Sequence, residues 1–179
     1  FNYSMAHVPF GAMAREVETG NLDVAFTLGG PGLRDLRERF DVLVLTDFSY
    51  RVVAPPGWGN QIKGKGWRDL ARLPWIGTPP ESVHHRLLSG ISAAEDVAFN
   101  IVAQVDLEPS MMDLVKSGVA LSLARDSLAL HAAHVDGVAV ADAVTVPAAL
   151  GFVCRKERLQ EPSISAARDI VSEVWHCEI

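Results

Sequence analysis

Val17-Glu18-Thr19-Gly20-Asn21-Leu22-Asp23-Val24-Ala25-Phe26 and Leu114-Val115-Lys116-Ser117-Gly118-Val119-Ala120-Leu121-Ser122-Leu123 follow the same local plan about a hundred residues apart. Each reads as the end of a helix, a glycine stop, and an almost immediate apolar strand. Upstream of the first, Phe10, Met13, Ala14 and Val17 recur at helical spacing. Upstream of the second, Met111, Leu114 and Val115 do the same, behind an expected cap at Asp106. A βα-rich unit that occurs twice in a chain of 179 residues predicts two similar lobes rather than one large sheet.

The rest of the chain fits an alternation of strands and helices. Phe1–Ser4 reads as the end of a strand, and Phe40–Leu45 and Arg51–Ala54 as two further strands. Pro74–Gly77, Asn100–Val105 and Val119–Leu123 are short apolar strands, and Val144–Cys154 is extended. Thr78-Pro79-Pro80-Glu81-Ser82 opens a helix through Leu87 and Leu88, with proline and an acid near its start. Ser127–Ala133 is helical, and Ile164, Ala167, Ile170, Val171 and Val174 form a final amphipathic helix. Such alternation predicts an α/β chain with mainly parallel sheets.

Composition narrows the functional classes. Sixteen basic and 22 acidic residues leave a net charge of −6, which opposes a phosphate-binding surface on this chain. No apolar run approaches the ~20 residues of a membrane-spanning helix. Cys154 and Cys177 lack zinc-ligand spacing and read as two reduced thiols of a cytoplasmic protein. The expectation is therefore no metal, no cofactor and no membrane partner.

Catalytic motifs are lacking too: there is no G-x-S-x-G elbow, H-E-x-x-H helix or S-x-x-K. The chain is read as a non-enzyme. Gly59-Asn60-Gln61-Ile62-Lys63-Gly64-Lys65 fits seven places of a phosphate loop, but Gly66 stands where a hydroxyl must hold magnesium. A solvated basic loop is the better reading. Gly29-Gly30-Pro31-Gly32 has the wrong spacing for a dinucleotide loop. His84-His85-Arg86 follows a helix start, and both a solvated turn and an anion-binding turn remain open.

Ligands of open α/β sheets bind beyond the carboxyl ends of strands, beside helix N-termini. That rule selects Ser4 and Met5, Thr27 and Leu28, Thr78, Pro79, Pro80, Glu81 and Ser82, and the Val105–Asp106 turn. Thr27, Thr78, Ser82, His84 and Arg86 would suit a small carboxylate.

Gly20-Asn21-Leu22-Asp23-Val24-Ala25-Phe26 resembles the G-x-L-D-hydrophobic-A-hydrophobic signature of the effector-binding domain of LysR-type transcriptional regulators. Val42–Leu45 with Tyr50–Pro55, Trp67–Leu70 with Leu73–Ile76, and Leu114–Leu121 are similar to the family's later segments, in the same order over nearly the whole chain. Two departures stand out: Ala120 replaces a common second glycine, and Pro56-Gly57-Trp58 replaces a histidine-proline pair.

The resemblance implies a two-lobed fold like that of type 2 periplasmic binding proteins, each lobe a mainly parallel sheet flanked by helices, joined by two crossing strands. Lobe I would comprise residues 1–52 and 150–179, and lobe II residues 53–149. The family's first strand, first helix and helix-turn-helix domain would precede Phe1. Implied too are a small, anionic effector bound between the lobes at Ser4, Met5, Thr27, Leu28, Thr78–Ser82 and Val105, a homodimer or homotetramer, and operator DNA reached only through the preceding domain. A transport solute-binding protein of the same architecture is the alternative.

Overall fold

A computed structural model describes residues 10–105 and 107–177. In chain order its elements are α1 (Phe10–Thr19), β1 (Val24–Gly29), β2 (Phe40–Ala54), α2 (Gly59–Ile62), α3 (Trp67–Leu70), β3 (Pro74–Gly77), α4 (Val83–Glu95), β4 (Asn100–Gln104), α5 (Glu108–Lys116), β5 (Ser122–Arg125), α6 (Asp126–Asp136), β6 (Ala139–Arg155) and α7 (Pro162–Trp175). The strand expected at Phe1–Ser4 and the cap expected at Asp106 lie outside the described residues. The chain divides into unit 1, residues 1–47 and 149–179, and unit 2, residues 48–148. It passes from the first to the second within β2 and returns within β6.

Two strand expectations are corrected. Phe40–Leu45 and Arg51–Ala54 are the ends of one fifteen-residue strand. Exposed Thr46 and Asp47 interrupt its apolar pattern, but the backbone stays extended because a ladder needs pairing, not apolar side chains. The sheets are also mixed rather than mainly parallel. β1 pairs antiparallel with β6, β2 pairs antiparallel with β5, and β3 pairs parallel with β4. Apolar runs report burial and carry no sign of strand direction.

In unit 1, Val17 of α1 packs with Ala25, Phe40 and Val153. A second cluster joins Leu43, Leu45 and Phe152 to Ala167 and Val171 of α7. Ile170 and Val174, read as part of the same apolar stripe, are instead 60% and 68% exposed. The stripe is wider than the face that unit 1 covers.

Unit 2 contains the strand run β4-β3-β5-β2, which β6 continues beyond β2, because Leu121, just before β5, bridges Trp75 in parallel. Ile76 N–H donates to the Leu121 carbonyl and Leu121 N–H to that of Pro74, both at 2.8 Å. Adjacent residues bury opposite faces. Val52, Trp75 and Leu123 enter one core, with Leu70 and Leu88. Val53, Ile76 and Ala124 enter the other, with Met111, Val115 and Ala129. A sheet buried on both faces explains why these strands read as unbroken apolar runs.

The duplicated stops share a mechanism. Gly20 and Gly118 have φ of +81° and +84°. Gly20 N–H donates to the Val17 carbonyl, and Gly118 N–H to that of Val115. Val119 N–H donates to the Leu114 carbonyl, completing a Schellman cap at the second site. A Cβ on Gly118 would touch nothing within 4 Å, so only the left-handed backbone disfavours a side chain. Gly118→Ala is expected to cost about 1 kcal/mol in urea unfolding. Gly66→Ala, at φ −83° and equally open, should lose none of this.

Candidate functional site

β3, β4 and the Leu121–Arg125 segment run parallel, and each leads into a helix that starts at the same edge of the unit 2 sheet. Those helices are α4, α5 and α6. Three N-termini at the carboxyl ends of three strands form the part of an α/β sheet that accepts ligands.

Among the described residues, four buried side-chain polar atoms lack a hydrogen-bond partner: Thr78 Oγ1, His84 Nε2, Glu108 Oε1 and Arg155 Nε. Arg155 belongs to unit 1. The other three all stand at this edge, after β3, in the first turn of α4 and at the first position of α5. Each orphaned buried group costs about 1–3 kcal/mol. Three of the four atoms stand at one edge of the unit 2 sheet.

A chain of contacts links the elements there. The Tyr50 ring on β2 meets the His84 ring edge to face at 5.1 Å between centroids. Tyr50 is the register partner of Arg125 on β5, and Arg125 donates to Glu108 Oε2 at 3.1 Å. Burial, reinforced by the Glu108 charge, pushes the Tyr50 phenol up to about 12. Burial pushes the His84 imidazole down, against an opposing pull from Glu108. Beside them, Arg51 on β2 donates to Asp126 at the start of α6, at 2.5 Å.

The sign of the His84 effect gives a pH prediction. Its folded value lies below the unfolded one of about 6.5, so the unfolded chain takes up the proton first. Stability should fall as pH drops below about 6.5. His84→Phe, which keeps a ring against Tyr50, should flatten the difference between urea midpoints at pH 7.5 and 5.5. An unchanged difference would contradict the burial of a neutral imidazole.

Residues 5–176 match the family model described as the LysR substrate binding domain. The chain belongs to that family. No curated protein matches it. Solved LysR-type structures share its fold. The effector-binding domain of QuiR in complex with shikimate aligns with TM-score 0.69 at 17% identity, over 93% of this chain and 78% of that one. The regulatory domain of HypT from Salmonella typhimurium, in its apo form, aligns with TM-score 0.71 at 14% identity, over 98% and 83%. Full-length CbnR complexed with its target DNA aligns with TM-score 0.67 at 16% identity, over 96% and 60%.

In this LysR substrate-binding domain the sequence-selected residues have distinct surroundings. Ser4 and Met5 lie outside the described residues. Thr27 and Leu28 stand within β1 in unit 1, opposite Gly151 and Leu150. In unit 2, Thr78 is 2% exposed and its hydroxyl is orphaned. Pro79 is half-buried, while Pro80 and Glu81 are exposed. Ser82 is the N-cap of α4, its hydroxyl oxygen accepting from His84 N–H at 3.2 Å. The two prolines precede that cap instead of occupying the first turn. Val105 N–H donates to the Gly77 carbonyl at 3.0 Å, which ties the β4 end to the β3 end.

Tyr50, Glu108 and Arg125 were not selected. Their only sequence signals are an acid at the start of α5 and an arginine that breaks an apolar strand before α6. The near phosphate loop is no loop: Gly59–Ile62 is helical, and Gly64 N–H donates to the Asp142 carboxylate at 2.7 Å. A carboxylate already holds the amide that a phosphate would need. Cys154 and Cys177 are free thiols. Among the described residues, no three His, Cys, Asp or Glu side chains are grouped to hold a metal, and no helix is long and apolar enough to cross a membrane.

Proposed function

We propose that this domain is the sensing part of a cytoplasmic LysR-type regulator and takes up a small metabolite at the edge formed by Thr78–Ser82, Val105 and the starts of α4 and α5. The observation that carries this reading is the set of three orphaned buried atoms at that edge. The family match favours a regulator over a transport solute-binding protein of the same architecture. The same contacting role is proposed for Ser4, Met5, Thr27 and Leu28, with lobe I at residues 1–52 and 150–179 and lobe II at residues 53–149. Effector binding changes transcription only as far as the effector prefers one protein conformation over another.

Thr78→Val tests the site. The hydroxyl makes no hydrogen bond in the ligand-free chain, so its loss should leave thermal stability unchanged or slightly higher. Binding of any small organic acid, alcohol or amine that raises the melting temperature should weaken about fivefold to tenfold. Lower stability with undiminished binding would contradict the assignment.

Two further roles belong to the same reading. The domain assembles as a homodimer or homotetramer, for which exposed Ile170, Val174 and Trp175 offer apolar surface, and light scattering measures the state. Operator DNA is reached through a separate helix-turn-helix domain. The present chain, with net charge −6, should give no sequence-specific gel shift.

A further inference from the structure

The orphaned atoms at the unit 2 edge differ in chemistry from a carboxylate clamp. Glu108 Oε1 can only accept, and its other oxygen is already held by Arg125. Thr78 Oγ1 can both donate and accept. A neutral His84 offers at Nε2 either a donor or an acceptor, according to its tautomer. The charges of Glu108 and Arg125 cancel. Of the amides in the first turn of α4, that of His84 already donates to the Ser82 hydroxyl.

We infer that the effector group recognised at this edge is an uncharged hydroxyl, preferably one of a vicinal pair, donating to Glu108 Oε1 and exchanging hydrogen bonds with Thr78 and His84. This inference rests on the proposed effector site and specifies its ligand class. For the group at this edge it replaces the carboxylate expected from Thr78, Ser82, His84 and Arg86.

The alternatives fail on charge. A carboxylate would bring a second anion, with no hydrogen to give, against the acceptor of Glu108. An ammonium would be drawn to Glu108, but it would stand beside the Arg125 guanidinium that already neutralises it. A hydroxyl has one hydrogen for the carboxylate and lone pairs for a donor, and it adds no charge. A vicinal pair can serve Glu108 and one of the two adaptable groups together. Tyr50 holds the arrangement by packing on His84 from a strand whose register places it beside Arg125.

Three compounds with one ring and different polar groups separate these cases: cis-1,2-cyclohexanediol, cyclohexanecarboxylate and cyclohexylamine. Their dissociation constants are measured by ligand-observed NMR on the full chain at pH 7.5, with wild type, Glu108→Gln and Thr78→Val. The diol should bind wild type about tenfold more tightly than either charged compound. Glu108→Gln should weaken the diol about fivefold to tenfold while leaving the carboxylate unchanged or tighter, a divergence that unfolding cannot produce. Tighter binding of the carboxylate or amine, weakened by Thr78→Val, would overturn the hydroxyl assignment and leave the site standing. Binding of none, or binding insensitive to both substitutions, would overturn the two together.

Discussion

Trp75→Ala is expected to lower the unfolding free energy by about 3–5 kcal/mol, a large share of the about 5–15 kcal/mol typical of a whole domain. Trp75 is fully buried. Its ring meets Phe99 edge to face at 4.9 Å, and its Nε1 donates to the Leu70 carbonyl at 2.7 Å. Its backbone neighbours are Ile101 on β4 and Leu121 before β5. Alanine would therefore leave a cavity against the sheet whose edge carries Thr78 and remove the indole hydrogen bond to Leu70, whose carbonyl still accepts from Leu73 N–H at 3.1 Å. Trp75→Phe separates the two contributions. It keeps most of the volume and should cost about 0.5–1.5 kcal/mol, largely through the lost indole hydrogen bond to the Leu70 carbonyl. Urea unfolding followed by circular dichroism measures both. A loss below ~1 kcal/mol for Trp75→Ala would contradict the placement of this ring in the core.

Gly151→Val should have the second largest effect, in unit 1. A Cβ there would collide with the Leu33 side chain and press on the Leu43 carbonyl and Val42 Cγ1, each at 3.4 Å. Leu33 is itself 3% exposed, with φ +51°, and has little room to withdraw. Overpacking of this kind costs about 1–3 kcal/mol. Gly151 stands opposite Thr27 in the β1–β6 ladder, so the change also disturbs the strand that carries Thr27 and Leu28. Leu33→Ala removes the colliding group. The double variant should be more stable than the sum of the two single changes predicts, because the sites share one collision. Strict additivity would mean that the two residues do not touch.

Local physics made most of the fold legible. Gly20 and Gly118 end their helices because each needs a left-handed backbone, and Ser82 caps α4 because its hydroxyl reaches the His84 amide. The continuity of β2 was not legible, since Thr46–Ser49 carry no apolar pattern although their backbone stays in the strand. Nor was strand direction, which apolar content does not encode. The exposed flank of α7 was misread because helical periodicity cannot tell which part of a wide apolar stripe is covered.

The site divides along the same line. Thr78–Ser82 and Val105 follow from a topological rule that needs only strand ends. Tyr50, Glu108 and Arg125 come from three separate elements, the first and the last 75 positions apart. Only the folded sheet, by setting Tyr50 beside Arg125 and the starts of α4 and α5 at one edge, brings them into one cluster. His84 was visible as part of a basic triplet for which a solvated turn and an anion-binding turn both stood open, but its burial, which pushes the imidazole down, could be seen only in the fold.

The central claim is that the carboxyl edge of the unit 2 sheet receives the effector. It is tested most directly by amide chemical-shift mapping of the 15N-labelled chain. The titrant is whichever compound raises the melting temperature most among small diols, hydroxylated acids, simple carboxylates and amines. The amides of Thr78, Ser82, His84, Val105, Glu108 and Arg125 should move together and saturate with a single dissociation constant. Saturable shifts that leave these residues still, or a folded chain that no member of the panel stabilises, would contradict it.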